Sequence, residues 1–169
     1  MANLIYATIK GKKQGLISAG CSTVDSIGNK YQTGHEDEVL ILSFEHEITR
    51  MSNVNYRPVS FIKPIDKSSP LLGVAIDNNE ELEIEFFFYR TSMSGGNELY
   101  YSVKLKGASI ERVNVNYPHS INHNNHQPEE MISINYKSIT WQHHTAGTSG
   151  YSFWEVSGKI EFIDVKTPS

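Results

Sequence analysis

Cysteine is almost absent: Cys21 is the single one in 169 residues. No intramolecular disulfide can form, and cysteine-rich zinc motifs are excluded. Lying between Gly20 and Ser22, it reads as a small buried residue and not as a nucleophile. Long apolar runs are also missing. No stretch approaches the roughly 20 residues that a membrane helix needs. Residues 1–9 lack the basic region and apolar run of a Sec-type signal, so assembly in the cytoplasm is expected, with any export by another route. Positive charge is scarce, with 15 Lys and Arg against 19 Asp and Glu, a net charge of -4 and a pI near 6.0. That balance, without a basic patch interleaved with aromatics, argues against nucleic acid or an anionic membrane as partner.

What remains is an ordinary globular composition, 38% hydrophobic and 20% charged, with 11% aromatic residues suited to a β-rich core. The length fits one domain over 1–169, with 155–169 the least defined part. Residues 39–48 alternate, placing Leu40, Leu42, Phe44 and Ile48 on one face and Ser43, Glu45 and Glu47 on the other. Residues 56–63 read as a strand with Val59, Phe61 and the following Ile65 inward, starting at an edge beside Pro58. A short helix is predicted over about 69–77. Ser69 caps it, Pro70 opens it, and Leu71, Leu72, Ala75 and Ile76 form its apolar stripe. The clearest hairpin pairs 82–89 with 99–106 across a Gly-rich turn, with Lys104 and Lys106 facing Glu83 and Glu85. Phe87 and Tyr89 leave aromatics on its second face as well, as in a sheet that is sandwiched or used for contact. Phase changes in 109–117 and 131–141 predict a bulge or twist in each. Residues 118–130 and 145–152 read as loops, and 156–165 as a last strand. About eight strands and one helix imply a small sandwich or barrel.

No catalytic constellation emerges. His119, His123 and His126 share one loop and His143 and His144 follow a strand, but no HExxH or helical i,i+4 pair accompanies them, so no metal is assigned. Ser149 lacks the second glycine of a nucleophile elbow, because position 151 is Tyr. Gly95-Gly96 is followed by no Lys-Ser/Thr pair and is no phosphate loop. Glu80, Glu81, Glu129 and Glu130 read as solvated acids and not as a glycosidase pair. No cofactor is expected, and a metal- or Ser-dependent hydrolase would need a convergent site that is not visible.

Five segments then carry a resemblance: "GLISAGCSTVDSIGNKYQTGHEDE" at 15–38, "FIKPIDKSSPLL" at 61–72, "FYRTSMSGGNELYYSVKLKGA" at 88–108, "YPHSINHN" at 117–124 and "ITWQHHTAGTSGYSFW" at 139–154. In content and order they resemble the haemolysin-coregulated protein (Hcp) family, the tube subunit of bacterial type VI secretion. The resemblance implies a mainly β fold, a two-sheet squat β-barrel or sandwich with one short flanking helix. It implies a homohexamer whose rings stack into a tube, tipped by a spike protein, sheathed by a contractile sheath and expelled from the cell. Small effector proteins in the lumen are implied partners, and the alternative role is a ring acting chiefly as their chaperone. A closed ring uses heterologous contacts between neighbours. The candidates are Gly28, Asn29, Tyr31 and Gly34 in the 26–37 loop, Phe87 and Tyr89 on the second sheet face, and Ser94, Gly95, Gly96 and Asn97 in the hairpin turn. The similarity fades after Trp154, and about fifteen further residues are too few for a toxin domain.

Overall fold

The structure, a computed structural model, describes residues 3–123 and 125–153; the strand expected at 156–165 lies outside them. The strands are β1 (Ile5–Gly11), β2 (Gly15–Leu16), β3 (Val39–Ile41), β4 (Ser43–Glu45), β5 (Ile48–Arg50), β6 (Val54–Tyr56), β7 (Val59–Pro64), β8 (Leu82–Thr91), β9 (Asn97–Asn116), β10 (Glu129–Asn135), β11 (Ser138–His143) and β12 (Thr148–Phe153). Two helices, α1 (Val24–Ile27) and α2 (Ser69–Asp77), and a 3-10 turn (Gly28–Lys30) complete the described fold.

One sheet runs β12-β11-β9-β8-β1, with β2 and β3 on β1. The other runs β9-β10-β7-β4. β9 belongs to both: residues 97–108 pair with β8 and β11, and 109–116 with β10. Gly107 marks the passage, with φ +61, which glycine adopts without the steric cost of a side chain. A bulge in the β9–β10 ladder falls between Ser133 and Ile134, where the phase change was expected. The second phase change marks the step from β10 in one sheet to β11 in the other. The two layers form a sandwich, but the sheets do not close into a barrel: among the described residues β12 pairs only with β11, and β4 only with β7.

The sandwich encloses one core. Phe86 and Phe61 are buried and meet edge-on at 5.2 Å, and Phe44 meets Phe86 at 4.9 Å. Ile9, Ile84, Leu105, Ile132 and Ile134 fill the space around them. α2 packs on β9 and buries Leu72 and Ala75, with Leu71 and Ile76 partly buried, so its apolar stripe is as expected. Its N-cap is Ser68 and not Ser69. The carboxylate Oδ1 of Asp66 takes the Ser68 N–H at 2.9 Å, and the Ser69 hydroxyl accepts the Asp66 N–H at 3.0 Å.

Several local readings are corrected. In 39–45 the buried residues are Val39 and Ile41, while Leu42 is exposed, because the chain breaks there as it moves from β3 in one sheet to β4 in the other. Ile65 is exposed on a corner and not inward. Residues 148–153 form β12 and no loop. Lys104 does pair with Glu83, at 3.1 Å, but Lys106 stands opposite Ser138. Two of the four acids read as solvated are buried. Glu80 is one. Its carboxylate accepts the N–H groups of Lys13 and Gln14, both at 2.7 Å, and the Gln14 side-chain amide at 2.9 Å, stapling the β1–β2 turn. Burial pushes this carboxyl up, but the Gln14 and Lys13 hydrogen bonds together outweigh it and hold the group below the usual carboxylate range. Gly11 is required beside it, since a Cβ there would run into the Glu80 carboxylate.

Glu130 is the other. It meets Lys63 at 2.6 Å, and the Lys63 ammonium also reaches Asp66 Oδ1 at 3.0 Å, the Pro64 carbonyl at 3.0 Å and the Ser69 hydroxyl at 3.2 Å. The Ser69 hydroxyl donates to Glu130 at 2.9 Å. The trio ties α2 to both β7 and β10. Asp66 Oδ2 is buried without a hydrogen-bond partner among the described residues.

Candidate assembly surfaces

The 23–38 segment is structured. Gly28 ends α1 at φ +62, its N–H returning to the Val24 carbonyl. The Tyr31 N–H closes the 3-10 turn on the Gly28 carbonyl at 3.2 Å, and the Tyr31 hydroxyl donates to Glu36 at 3.4 Å. Gly34, at φ +97, gives its N–H to the same Glu36 oxygen at 3.2 Å. The Glu36 and Gly34 backbone amides hold the Glu36 carboxyl below its ordinary value. Gly28, Asn29, Tyr31 and Gly34 are all exposed on this segment.

His35 fixes the segment to the sheet. Its ring stacks on Tyr6 at 3.9 Å, meets Tyr89 edge-on at 5.3 Å, and its Nδ1 lies 2.7 Å from Glu38 Oε1. The Tyr6 hydroxyl donates to Gln32 at 3.2 Å. Burial, with the Glu38 charge beside it, pushes the Tyr6 phenol up. Tyr89 is thus committed within the chain, edge-on to both Tyr6 and His35. Phe87 stands on the same sheet face, half-buried, in register between Tyr6 and Ser102.

The hairpin turn is a separate surface. The Ser92 N–H donates to the Gly96 carbonyl at 2.7 Å, and the Gly95 N–H, at φ +100, to the Ser92 carbonyl at 3.0 Å. Ser94, Gly95, Gly96 and Asn97 are exposed at its tip. Behind them Arg90 pairs with Glu98 at 2.8 Å and lies 4.6 Å over the Tyr100 ring. The structure therefore joins the loop to Tyr89 through His35, while the turn rests on its own anchors.

A third surface is not legible in the sequence. Among the described residues, β5 and β6 form a hairpin that pairs with neither sheet. Ile48 is exposed, and Met51 at the tip is 94% exposed. This arm interrupts what reads as one strand over 39–48 and another over 56–63. The small polar run Ser52-Asn53 is the one local signal of its turn.

Chemistry elsewhere is sparse. His119 Nδ1 accepts the backbone N–H groups of Ile121 and Asn122, at 3.3 and 3.1 Å. Among the described residues no group of three or more His, Cys, Asp or Glu is placed to hold a metal ion. Ser149 lies on β12 opposite Gln142. Cys21 is buried, and burial, then the nearby Asp66 charge, pushes its thiol up to about 12.

Residues 6–143 match the family model described as type VI secretion system effector, Hcp. The chain is 39% identical to the major exported protein of Pseudomonas aeruginosa, over 91% of this chain and 96% of that protein. Among solved structures, one described as an Hcp protein superposes with a TM-score of 0.87 at 34% identity, covering 92% of this chain and all of the other. The secreted protein Hcp3 from Pseudomonas aeruginosa superposes with a TM-score of 0.83 at 40% identity, with the same coverage of each. Sequence and sandwich agree, and the chain belongs to the Hcp family of type VI secretion proteins.

Proposed function

We propose that the chain is the repeating subunit of the type VI secretion inner tube, a structural part exported with the tube and not a catalyst. Six copies close into a ring, and rings stack through the exposed 28–34 segment and the 94–97 turn. The spike, the sheath and small lumenal effectors are the partners that such a tube meets. The observation that carries this reading is the arm. A two-stranded hairpin that pairs with no further strand is marginal in water, and this one presents Met51 and Ile48 to solvent. A neighbouring copy would cover it. Phe87, apolar on the face opposite the core, fits the same use.

Engineered cysteines test the stacking. Asn29→Cys and Ser94→Cys are expected to give disulfide-linked ladders on mild oxidation of the assembled protein, read on a non-reducing gel. Buried Cys21, its thiol held up to about 12, stays silent. Monomer bands alone, with this pair and with neighbouring positions in both loops, would contradict the stacking surfaces.

A further inference from the structure

The arm has two unlike faces, and its register sorts them. Ile48 stands opposite Tyr56 and Arg50 opposite Val54, while Thr49 stands opposite Asn55. Residues directly opposite in an antiparallel pair share a face, and successive residues alternate. Ile48, Tyr56, Val54 and Arg50 therefore form one face, and Thr49 and Asn55 the other. Thr49 and Asn55 are exposed, while Val54 and Tyr56 are half-buried. Contacts at the base fix how these faces point. The Tyr56 hydroxyl hydrogen-bonds that of Ser152 on β12, and its ring meets Tyr136 edge-on at 6.3 Å. Tyr136, at the β10–β11 corner, donates its O–H to the Arg57 carbonyl at 3.2 Å and lies 2.6 Å from Nε2 of His46. The Arg57 N–H closes the neck on the Glu47 carbonyl at 3.1 Å. The arm is thus held from both of its ends before any partner arrives, which lowers the entropy cost of docking it. The face that meets the sandwich at Tyr56 continues toward the tip through Arg50 and Val54.

Charge complementarity names the partner. Residues 48–57 contain Arg50 and Arg57, both exposed, and no acid. Of the 15 Lys and Arg of the chain, the other 13 then stand against all 19 Asp and Glu. A basic arm on an acidic body complements another copy of itself, in the heterologous manner of a closed ring. We infer that the Ile48, Arg50 and Val54 face of the arm, and not the Thr49 and Asn55 face, docks on the acidic body of a second copy. The inference rests on the tube reading and gives it one contact face.

Four substitutions that add negative charge within this one hairpin test it in the full chain, by native mass spectrometry over a dilution series. Val54→Asp and Arg50→Glu are expected to raise the concentration needed for rings by about tenfold or more, because each sets a negative charge against an acidic partner. Thr49→Asp and Asn55→Asp are expected to stay within about twofold of the wild type, since these side chains remain in water. Unfolding midpoints measured in parallel are expected to stay near that of the wild type in all four. Rings weakened equally from both faces, or from neither, would overturn the assignment. So would a midpoint lowered by both Val54→Asp and Arg50→Glu, which would place that face on its own sandwich. These outcomes, with rings present in the wild type, sink the face alone. A wild-type chain that stays at the mass of one copy sinks the tube reading and the face with it.

Discussion

Lys63→Ala is expected to destabilise the fold by about 3–5 kcal/mol, the cost of leaving buried charge without its partner. The ammonium has no exposed surface and is the counter-charge for both Asp66 and Glu130. Its removal leaves two carboxylates in the interior, one of which already has an unpartnered oxygen. The ends of β7, β10 and α2 lose their common tie. Neutralising the whole trio, with Lys63→Met, Asp66→Asn and Glu130→Gln together, is expected to cost less than Lys63→Ala alone, because no uncompensated charge remains. Denaturant unfolding of both variants checks the order. A triple variant less stable than Lys63→Ala would mean that the trio acts through its hydrogen bonds and not through its charge.

Phe86→Ala carries an effect of similar size, about 3–5 kcal/mol, from lost burial plus the cavity left between Phe44 and Phe61. Its neighbour Phe87 points to the opposite face of the same strand. Phe87→Ala is expected to leave the unfolding midpoint near that of the wild type and to weaken assembly instead. The two substitutions separate fold from interface one residue apart. Equal loss of stability in both variants would place Phe87 in the fold and remove it from the contact surfaces.

The parts of the fold that follow from periodicity were legible in the sequence. The β8–β9 hairpin, the apolar stripe of α2 and the bulge in β9–β10 follow from alternation or from a break in it. What the sequence hides is what long-range partners decide. Leu42 sits in an alternating run, yet it is exposed where the chain crosses between sheets. Glu80 and Glu130 look like solvent-facing acids beside Glu81 and Glu129, but the backbone N–H groups of Lys13 and Gln14 take Glu80 inward and Lys63 takes Glu130. Tyr89 reads as a spare aromatic until His35, 54 residues away in sequence, packs against it. The 28–34 and 94–97 segments were legible as exposed Gly-rich loops. The arm was not, because both its strands continue an apparent strand and only Ser52-Asn53 signals the turn.

The most direct test of the tube reading is the mass of the purified full chain in solution, by native mass spectrometry or sedimentation. A tube subunit runs as a six-fold multiple of the 19.1 kDa chain, with higher multiples where rings stack. A single species at the mass of one chain, persisting as concentration rises, would contradict it.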